Sequence, residues 1–574
     1  MQQEENRQEE KRITGYPSID KPWLKYYECQ VVNTSIPEGT MYDCMVSYNA
    51  SRMNEWALNF FGSKCTYGQL VSDINRIAGA LFQIGIRKGS IVATYALSTP
   101  ECIISIYALN RIGAIADLQY VNLTPKEILE NLRITQAKYI LIVDVLLPVI
   151  ESLINANSIE SNVQIIVIPI SRSLPKIKRI FLPKVKRVND LKNVFYFNDL
   201  YEKNQQLEFI PADQGDEPAL IVHTSGTTGK PKGVLLSNKN VNAIVVEYKN
   251  AFLDLKAGDT FLNIAPPFVA FGICLAIHTP LCLGLQVCLS PSPDPQTNGK
   301  IFSYYCPVHF LGGPAHIRDI ISVLSKKKKD LSFVKTIGYG GESISIEDEE
   351  KYVSFFKGRG SKIEHLVPGY GMTEFGGTVV LTGNRIWKEE SVGIPLLLSN
   401  IKIVDPSNAE ELPYYKTGEI WMTSPSLMLG YYQNSDEYEQ VMVKDEHNVR
   451  WLKTGDLGEI DKDGFLFLRG RIKRIYLTKG KDGSIYKLFP DYIERTIRES
   501  QMVFDCAVIA KSEDNLFYAP IVFIVVQDDN LEEISEYCEE HLPEYMVPKE
   551  FRAIEKIPCT ATGKVDYKKL EKLT

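Results

Sequence analysis

Between about Cys65 and Leu289, stretches that read as helices, such as Tyr67 to Phe82 and Glu101 to Ile112, alternate with short apolar runs, such as Ile91 to Tyr95 and Tyr139 to Val145. That alternation predicts helices packed on largely parallel sheets. Ala219 to Val222 is a further short apolar run and reads as a buried strand. Phe261 to Ser290 contains no Asp, Glu, Lys or Arg and is long enough for a membrane span. Pro266, Pro267, Pro280 and several glycines interrupt it, so it is read as a buried strand, turn and helix. After the turn-rich Asp461-Lys462-Asp463-Gly464 a boundary is expected near Arg469 to Lys473. The segment beyond it has its own strands, around Ala507 to Ala510 and Pro520 to Val526, and its own helices, around Tyr492 to Arg498 and Leu531 to His541. It is large enough for a small separate core.

The 574 residues exceed the size at which one hydrophobic core keeps growing, which requires two or more domains. With 44% hydrophobic and 24% charged residues the composition is that of an ordinary soluble protein. A formal charge of −7 and a pI near 5.7 argue against a general nucleic-acid binder. The 11 cysteines include no Cys-x-x-Cys pair, and the 7 histidines do not cluster with them in sequence. Neither a zinc site nor a disulfide framework is expected, and a reducing, cytoplasmic setting fits. Met1 to Arg12 is polar and reads as a disordered tail rather than a signal peptide. Ser171 to Val188 carries 7 Lys or Arg with apolar residues at helical spacing, but Pro175 and Pro183 favour an exposed loop over a membrane-surface element. Lys326 to Lys329 reads as a solvated helix end.

The chemistry starts at Thr224-Ser225-Gly226-Thr227-Thr228-Gly229-Lys230-Pro231-Lys232-Gly233, which follows the Ala219 to Val222 run. Gly226 and Gly229 let backbone N–H groups approach an anion, the hydroxyls of Thr224, Ser225, Thr227 and Thr228 add donors, and Lys230 and Lys232 add countercharge. A polyphosphate-binding loop at a strand end is the reading. It is not a Walker A loop, which has four residues between its glycines and Ser or Thr after its Lys; here two residues intervene and Pro231 follows.

Further motifs follow in order: Gly340-Gly341-Glu342, Tyr370-Gly371-Met372-Thr373-Glu374, Gly430-Tyr431-Tyr432, Thr454-Gly455-Asp456, Gly470-Arg471-Ile472-Lys473 and Pro558-Cys559-Thr560-Ala561-Thr562-Gly563-Lys564. With the phosphate loop they give the chain a resemblance, over nearly its whole length, to the adenylate-forming superfamily, which includes acyl-CoA synthetases, luciferases and peptide-synthetase adenylation domains. The resemblance implies an α/β fold: after a tail at 1–14, a large N-terminal domain of parallel-rich sheets with packed helices at 15–470, and a small mobile α+β C-terminal domain at 471–574.

It also implies roles. Residues Thr224 to Lys230 would bind the ATP phosphates. Thr373 would contact phosphate, and Glu374 would ligate Mg²⁺, as a hard carboxylate oxygen can. Gly341, Glu342, Ser343 and Tyr370 would form the adenine slot, and Asp456 and Arg471 would hold the ribose. An Asp found alone in a turn would be a capping residue. Lys564 would swing in to stabilise charge on the α-phosphate, and Lys473 would be the hinge. The position after the hinge is usually acidic in the family and is Arg474 here.

The acyl pocket implied by the resemblance comprises Phe268, Val269, Phe271, Gly272, Tyr339 and Gly340, with Ile273, Leu275 and Val379 near them. Amino-acid-activating relatives place Asp where this chain has Val269, and burying an ammonium beside an apolar side chain is costly. A fatty or aryl carboxylic acid is therefore expected as substrate. The function implied is activation with ATP and Mg²⁺ to acyl-AMP and transfer to a thiol, CoA first. Residues Leu477 to Ser484 form a loop about four residues longer than in relatives, which keeps a carrier-protein phosphopantetheine as the alternative acceptor. A non-catalytic acyl or nucleotide binder is the alternative from another class.

Overall fold

The computed structural model describes residues 13–28, 34–156, 158–160, 162–179, 193–203, 215–224, 232–291, 297–481, 483–513, 516–526, 531–559 and 565–574. Two large mixed sheets dominate the portion before residue 400. In the eight-stranded sheet Pro218–His223, Ile115–Leu118, Ile91–Tyr95, Tyr139–Val143, Gln164–Ile168 and Val194–Tyr196 lie side by side and parallel. Gly233–Ser237 and Gly430–Tyr431 extend it antiparallel. In the nine-stranded sheet the parallel strands run Val367–Met372, Thr336–Gly340, His309–Gly312, Thr260–Asn263, Gln286–Leu289 and Trp56–Phe60.

One apolar core contains residues of both sheets, including Leu58 and Val287 from the nine-stranded sheet and Val92, Ala116 and Leu220 from the eight-stranded one. Helices Met41–Tyr48, Tyr67–Gln83, Pro100–Ile112 and Asn238–Lys249 contribute to it. Their starts are written in the sequence. Thr66 accepts from the Gln69 backbone while the Gln69 side chain accepts from the Thr66 N–H, and Thr99 caps a helix that opens on Pro100. Both helices match the stretches read from the sequence to within one residue at each end.

Phe261 to Ser290 resolves into Thr260–Asn263, a π-helix Phe271–His278, a short helix Thr279–Cys282 and Gln286–Leu289, almost all buried. Its lack of charge reflects burial in protein, and no helix among the described residues is long and apolar enough to cross a membrane. A third, five-stranded antiparallel sheet includes Asn400–Val404, Gly418–Thr423, Arg450–Ile460 and Leu466–Arg471.

Beyond the single-turn helix Ile472–Arg474, two further clusters form a separate core: Leu488, Ile493, Val508, Val522 and Ile534 in one, Ala507, Ile521, Ile557 and Leu570 in the other. The C-terminal strands are Asp505–Ser512 and Tyr518–Val525 and the helices Pro490–Glu499 and Leu531–His541. Leu477 to Lys479, read as part of a loop, instead belong to the strand Tyr476–Lys479, which pairs with Ile485–Leu488. Alternate residues there are exposed, but the exposed set mixes Leu477 and Ile485 with Lys479 and Lys487, so no apolar and polar alternation announces a strand. Lys326 to Lys328 are exposed at the end of helix Pro314–Ser325, as expected. The basic stretch at 171–188 is described only to residue 179, and the tail at 1–12 lies outside the described residues.

Candidate active site

The phosphate loop leaves the C-terminal end of Pro218–His223, beside the parallel strand Ile115–Leu118. Its neck is closed: Thr224 N donates to Lys232 O at 2.9 Å, and Lys232 N donates to Thr224 Oγ1 at 3.4 Å. Ser225, Gly226, Thr227, Thr228, Gly229 and Lys230 lie outside the described residues. Lys232, expected as countercharge, instead pairs with Glu437, its ammonium 5.2 Å from the centre of the Tyr431 ring.

Tyr431 reaches this place because Gly430–Tyr431 adds to the sheet edge opposite Leu235 and Val234. Its hydroxyl donates to Glu374 Oε1 at 2.8 Å. Burial, with the Glu374 carboxylate beside it, raises the Tyr431 phenol far above its ordinary value, so it remains a donor. Glu374 is itself buried, in the single turn Thr373–Phe375 that follows Val367–Met372, and its carbonyl accepts from Met428 N at 2.7 Å.

Strands Thr336–Gly340 and Val367–Met372 are adjacent and parallel, with Gly340 opposite Gly369. Gly341, Glu342 and Ser343 therefore emerge, exposed, next to Tyr370 at the carboxyl ends of neighbouring strands, where open α/β sheets bind ligands. The Tyr370 hydroxyl donates to Asp456 Oδ2 at 2.7 Å, and Arg471 Nε lies 2.9 Å from Asp456 Oδ1. Burial together with the Asp456 charge keeps Tyr370 protonated.

Asp456 is not in a turn. It lies within the strand Arg450–Ile460, directly opposite Arg471 of Leu466–Arg471. The strand bulges there: Glu419 to Trp421, two residues apart, pair with Leu457 and Lys453, four apart. Gly455 takes φ +72 at the bulge, a left-handed conformation open to glycine at little cost. Thr454 Oγ1 donates to Ile420 O at 2.8 Å and accepts from Asp456 N at 3.0 Å, which aims the carboxylate at Tyr370. Thr-Gly-Asp looks like a turn in sequence because a bulge uses the same residues as one.

Of the residues expected to line an acyl pocket, Phe268 is buried with its ring 5.1 Å from that of Tyr120, and Val269 and Phe271 are partly buried against the main core. Gly272 is obligatory, since a Cβ there would sit 1.9 Å from Pro266 O. Tyr339 packs on a different cluster, with Ile264, Phe310 and Ile337, and Gly340 follows it at the strand end. Ile273, Leu275 and Val379, expected near the pocket, are at most 1% exposed and belong to the core.

Past Arg471 the chain turns through exposed Lys473 into Arg474, which the sequence alone left without a partner. Its guanidinium bonds Asp491, Glu494 Oε1 (2.9 Å), Val508 O (2.9 Å) and the Tyr567 hydroxyl (3.0 Å). The cation at this position thus faces two carboxylates of the small domain, Glu494 buried and Asp491 partly so. Arg474→Met is expected to cost about 3 kcal/mol by leaving those charges unpaired, read as an earlier urea transition of the C-terminal domain; an unchanged midpoint refutes the role. Lys564 lies outside the described residues. The chain on either side of 560–564 is joined by the bridge between Cys559 and Val565 and by Asp566 N donating to Pro558 O at 2.8 Å.

Sequence reasoning assigned no role to Tyr431, Glu437, Thr454 or Arg474. Tyr431 and Thr454 carried a signal, in Gly430-Tyr431-Tyr432 and Thr454-Gly455-Asp456, and Arg474 stood out beside Lys473, whereas Glu437 carried none.

The sequence profile of the AMP-binding enzyme family matches residues 47–432, and that of the AMP-binding enzyme C-terminal domain matches residues 492–564. A long-chain-fatty-acid–CoA ligase of Bacillus subtilis is 27% identical over 566 residues, covering 96% of this chain and 97% of its own. A 2-succinylbenzoate–CoA ligase of Listeria monocytogenes is 28% identical over 527 residues, covering 90% and 96%. Among solved structures, the anthranilate CoA ligase AuaEII in complex with anthranoyl-AMP superposes with a TM-score of 0.79 at 22% identity, over 95% of this chain and 98% of that one.

Proposed function

Since this chain belongs to the AMP-binding enzyme family, we propose that it is an AMP-forming acid–thiol ligase that activates a fatty or aryl carboxylic acid and transfers the acyl group to CoA. A carboxylate oxygen of the acid attacks the α-phosphorus of ATP, the bond to the β-phosphate bridging oxygen breaks, and pyrophosphate leaves. The CoA sulfur then attacks the acyl carbon and AMP leaves.

The observation that carries the reading is the convergence of Tyr370, Asp456 and Arg471 beside the strand ends bearing Gly341 to Ser343 and Glu374. Asp456 offers two oxygens to a ribose diol, and Arg471 can turn from Asp456 toward the sugar because its side chain is half exposed. The neck between Thr224 and Lys232 fixes where the phosphate loop begins and ends. Glu374 suits Mg²⁺: a buried carboxylate, oriented by one neutral phenol and in no ion pair among the described residues, is a hard oxygen donor for that cation. Mg²⁺ bound there would neutralise charge on the phosphates. The match over almost the full length of CoA ligases favours CoA over a carrier protein as acceptor.

Asp456→Ala is expected to raise the KM for ATP about 10- to 100-fold, the loss of hydrogen bonds to a charged acceptor, with a smaller change in kcat. An unchanged KM for ATP removes the ribose assignment.

Pyrophosphate release with a panel of fatty, aryl and amino acids tests the whole reading. One equivalent released without CoA and continuous turnover with CoA are expected. ATP binding without release from any acid would make the protein a binder. Turnover with a phosphopantetheinylated carrier but not with CoA would replace the acceptor.

A further inference from the structure

Two basic runs that lie far apart in the sequence meet on the surface of the large domain. Lys176, Lys178 and Arg179 stand on the short helix Lys176–Arg179, and Lys326 to Lys329 follow helix Pro314–Ser325. Helix Asn298–Tyr305 joins them. The Lys178 ammonium lies 4.9 Å from the centre of the Tyr304 ring, and the Lys329 ammonium donates to the carbonyl of the preceding residue, Ser303. Lys178 is also 4.5 Å from the centre of the Phe61 ring, at the turn between Trp56–Phe60 and Ser63–Thr66. Lys64, on that outermost strand of the nine-stranded sheet, and Lys300, four residues before Tyr304 and so on its side of the helix, extend the patch.

Apart from Lys329, which is half-buried, all of these cations are exposed, and among the described residues none is in an ion pair. Neighbouring acids are turned elsewhere: Asp319 accepts from Gly299 N at 2.7 Å, and Asp330 accepts from the Ser332 N–H and hydroxyl at 3.0 and 2.7 Å. The chain as a whole carries a formal charge of −7, so this face runs against its average and sets up a local positive field.

Apolar side chains stand among the lysines. Ile177, between Lys176 and Lys178, is 74% exposed, Tyr304 53%, and Trp56, with the Lys64 ammonium 5.5 Å from its ring centre, 46%. Ammonium groups on long apolar stems around aromatic rings suit the boundary of a bilayer, where the charge meets headgroups and the rings sit between water and acyl chains. Lysines, which are point charges without a fixed fork, fit a fluid array of headgroups, whereas a bidentate phosphate partner would favour arginine. Ile177 decides between lipid and a polyanion, since an aliphatic side chain gains by entering acyl chains and gains nothing against a phosphate backbone.

We propose that this face docks the protein on an anionic lipid surface. Pro175 and Pro183 argue against one long amphipathic helix, and none is needed, because the face is assembled from four separate segments of the chain. Long-range attraction by the lysines would bring the protein to the membrane, and Ile177, Tyr304 and Trp56 would hold it there. Docking is distinct from acid–thiol ligation and is measured without substrate, so either can fail while the other stands.

The full chain is sedimented with vesicles of phosphatidylcholine alone and with vesicles containing about 30 mol% phosphatidylglycerol. Binding at least about tenfold tighter to the anionic vesicles is expected, falling away as salt rises from about 0.1 to about 0.5 M. Lys326→Ala combined with Lys328→Ala should weaken it roughly 25-fold, about fivefold per charge removed. Ile177→Ser should weaken it at least about threefold with its salt dependence unchanged. All three positions are exposed, so the thermal midpoint should not move. Equal binding to both kinds of vesicle, no loss in the double variant, or no loss in Ile177→Ser would each overturn the lipid assignment. Capture of the unaltered protein by heparin in preference to anionic vesicles would overturn it in favour of a polyanion.

Discussion

Lys564→Ala is expected to slow acyl-adenylate formation by ~10² to 10³, about 3 to 4 kcal/mol, the loss seen when one group aimed at transition-state charge is removed. ATP binding should persist, because the residues that we assign to adenine and ribose, Tyr370, Asp456 and Arg471, stand elsewhere. The fold should persist too. The chain around 560–564 is joined by the Cys559–Val565 bridge, and Ile557 and Leu570 on either side are buried in the small domain's own core. Single-turnover formation of acyl-AMP measures the first half-reaction, and thioester formation from supplied acyl-AMP measures the second. The second should change far less. An equal fall in both would remove the assignment of Lys564 to the first step alone. Arg474 sharpens the test, since it holds Tyr567, three residues beyond Lys564, to Asp491 and Glu494 of helix Pro490–Glu499. Arg474→Met should disturb both half-reactions together, because it loosens the small domain rather than removing one charge.

The difference between what could and could not be read in the sequence follows the range of the interactions. Helices such as Tyr67–Gln83 are capped by residues three positions apart, Thr66 and Gln69, so their starts are local. The strand Pro218–His223 and the glycine and hydroxyl loop after it are contiguous. The hairpin at Tyr476–Leu488 was missed because apolar residues fall on both its faces, Leu477 and Ile485 being exposed beside Lys479 and Lys487, and its register comes from cross-strand pairing. Asp456 was singled out by its motif but its setting was not legible, since Thr454, Gly455 and Asp456 form a bulge whose existence depends on a distant partner strand at Glu419 to Trp421. The Lys232–Glu437 pair and the Tyr431–Glu374 bond join positions far apart in the chain, and no local spacing announces them.

The other large effect is expected from Val269, to which we assign the choice between neutral and amino acids. Unaltered protein is expected to prefer fatty or aryl acids over the matching α-amino acids by roughly a thousandfold in pyrophosphate exchange, since an ammonium buried without a partner costs about 4 kcal/mol or more. Among the described residues, no unpaired carboxylate is seen beside Val269 and Phe271. Val269 and Phe271 pack on apolar neighbours, and Phe268 meets Tyr120. The carboxylate close by in the chain, Asp117, is already engaged, with Oδ1 2.7 Å from His223 Nε2 and Oδ2 accepting from Gln119 at 2.7 Å. Val269→Asp should narrow the preference, chiefly by weakening the apolar acids, because a carboxylate introduced there must itself be desolvated when an apolar chain enters. Gly272 restricts how the wall can adjust, since any side chain at that position would strike Pro266 O. Efficient exchange by the unaltered protein with an amino acid would show that another carboxylate reaches the pocket, and loading of a carrier protein would then become the leading account of the reaction.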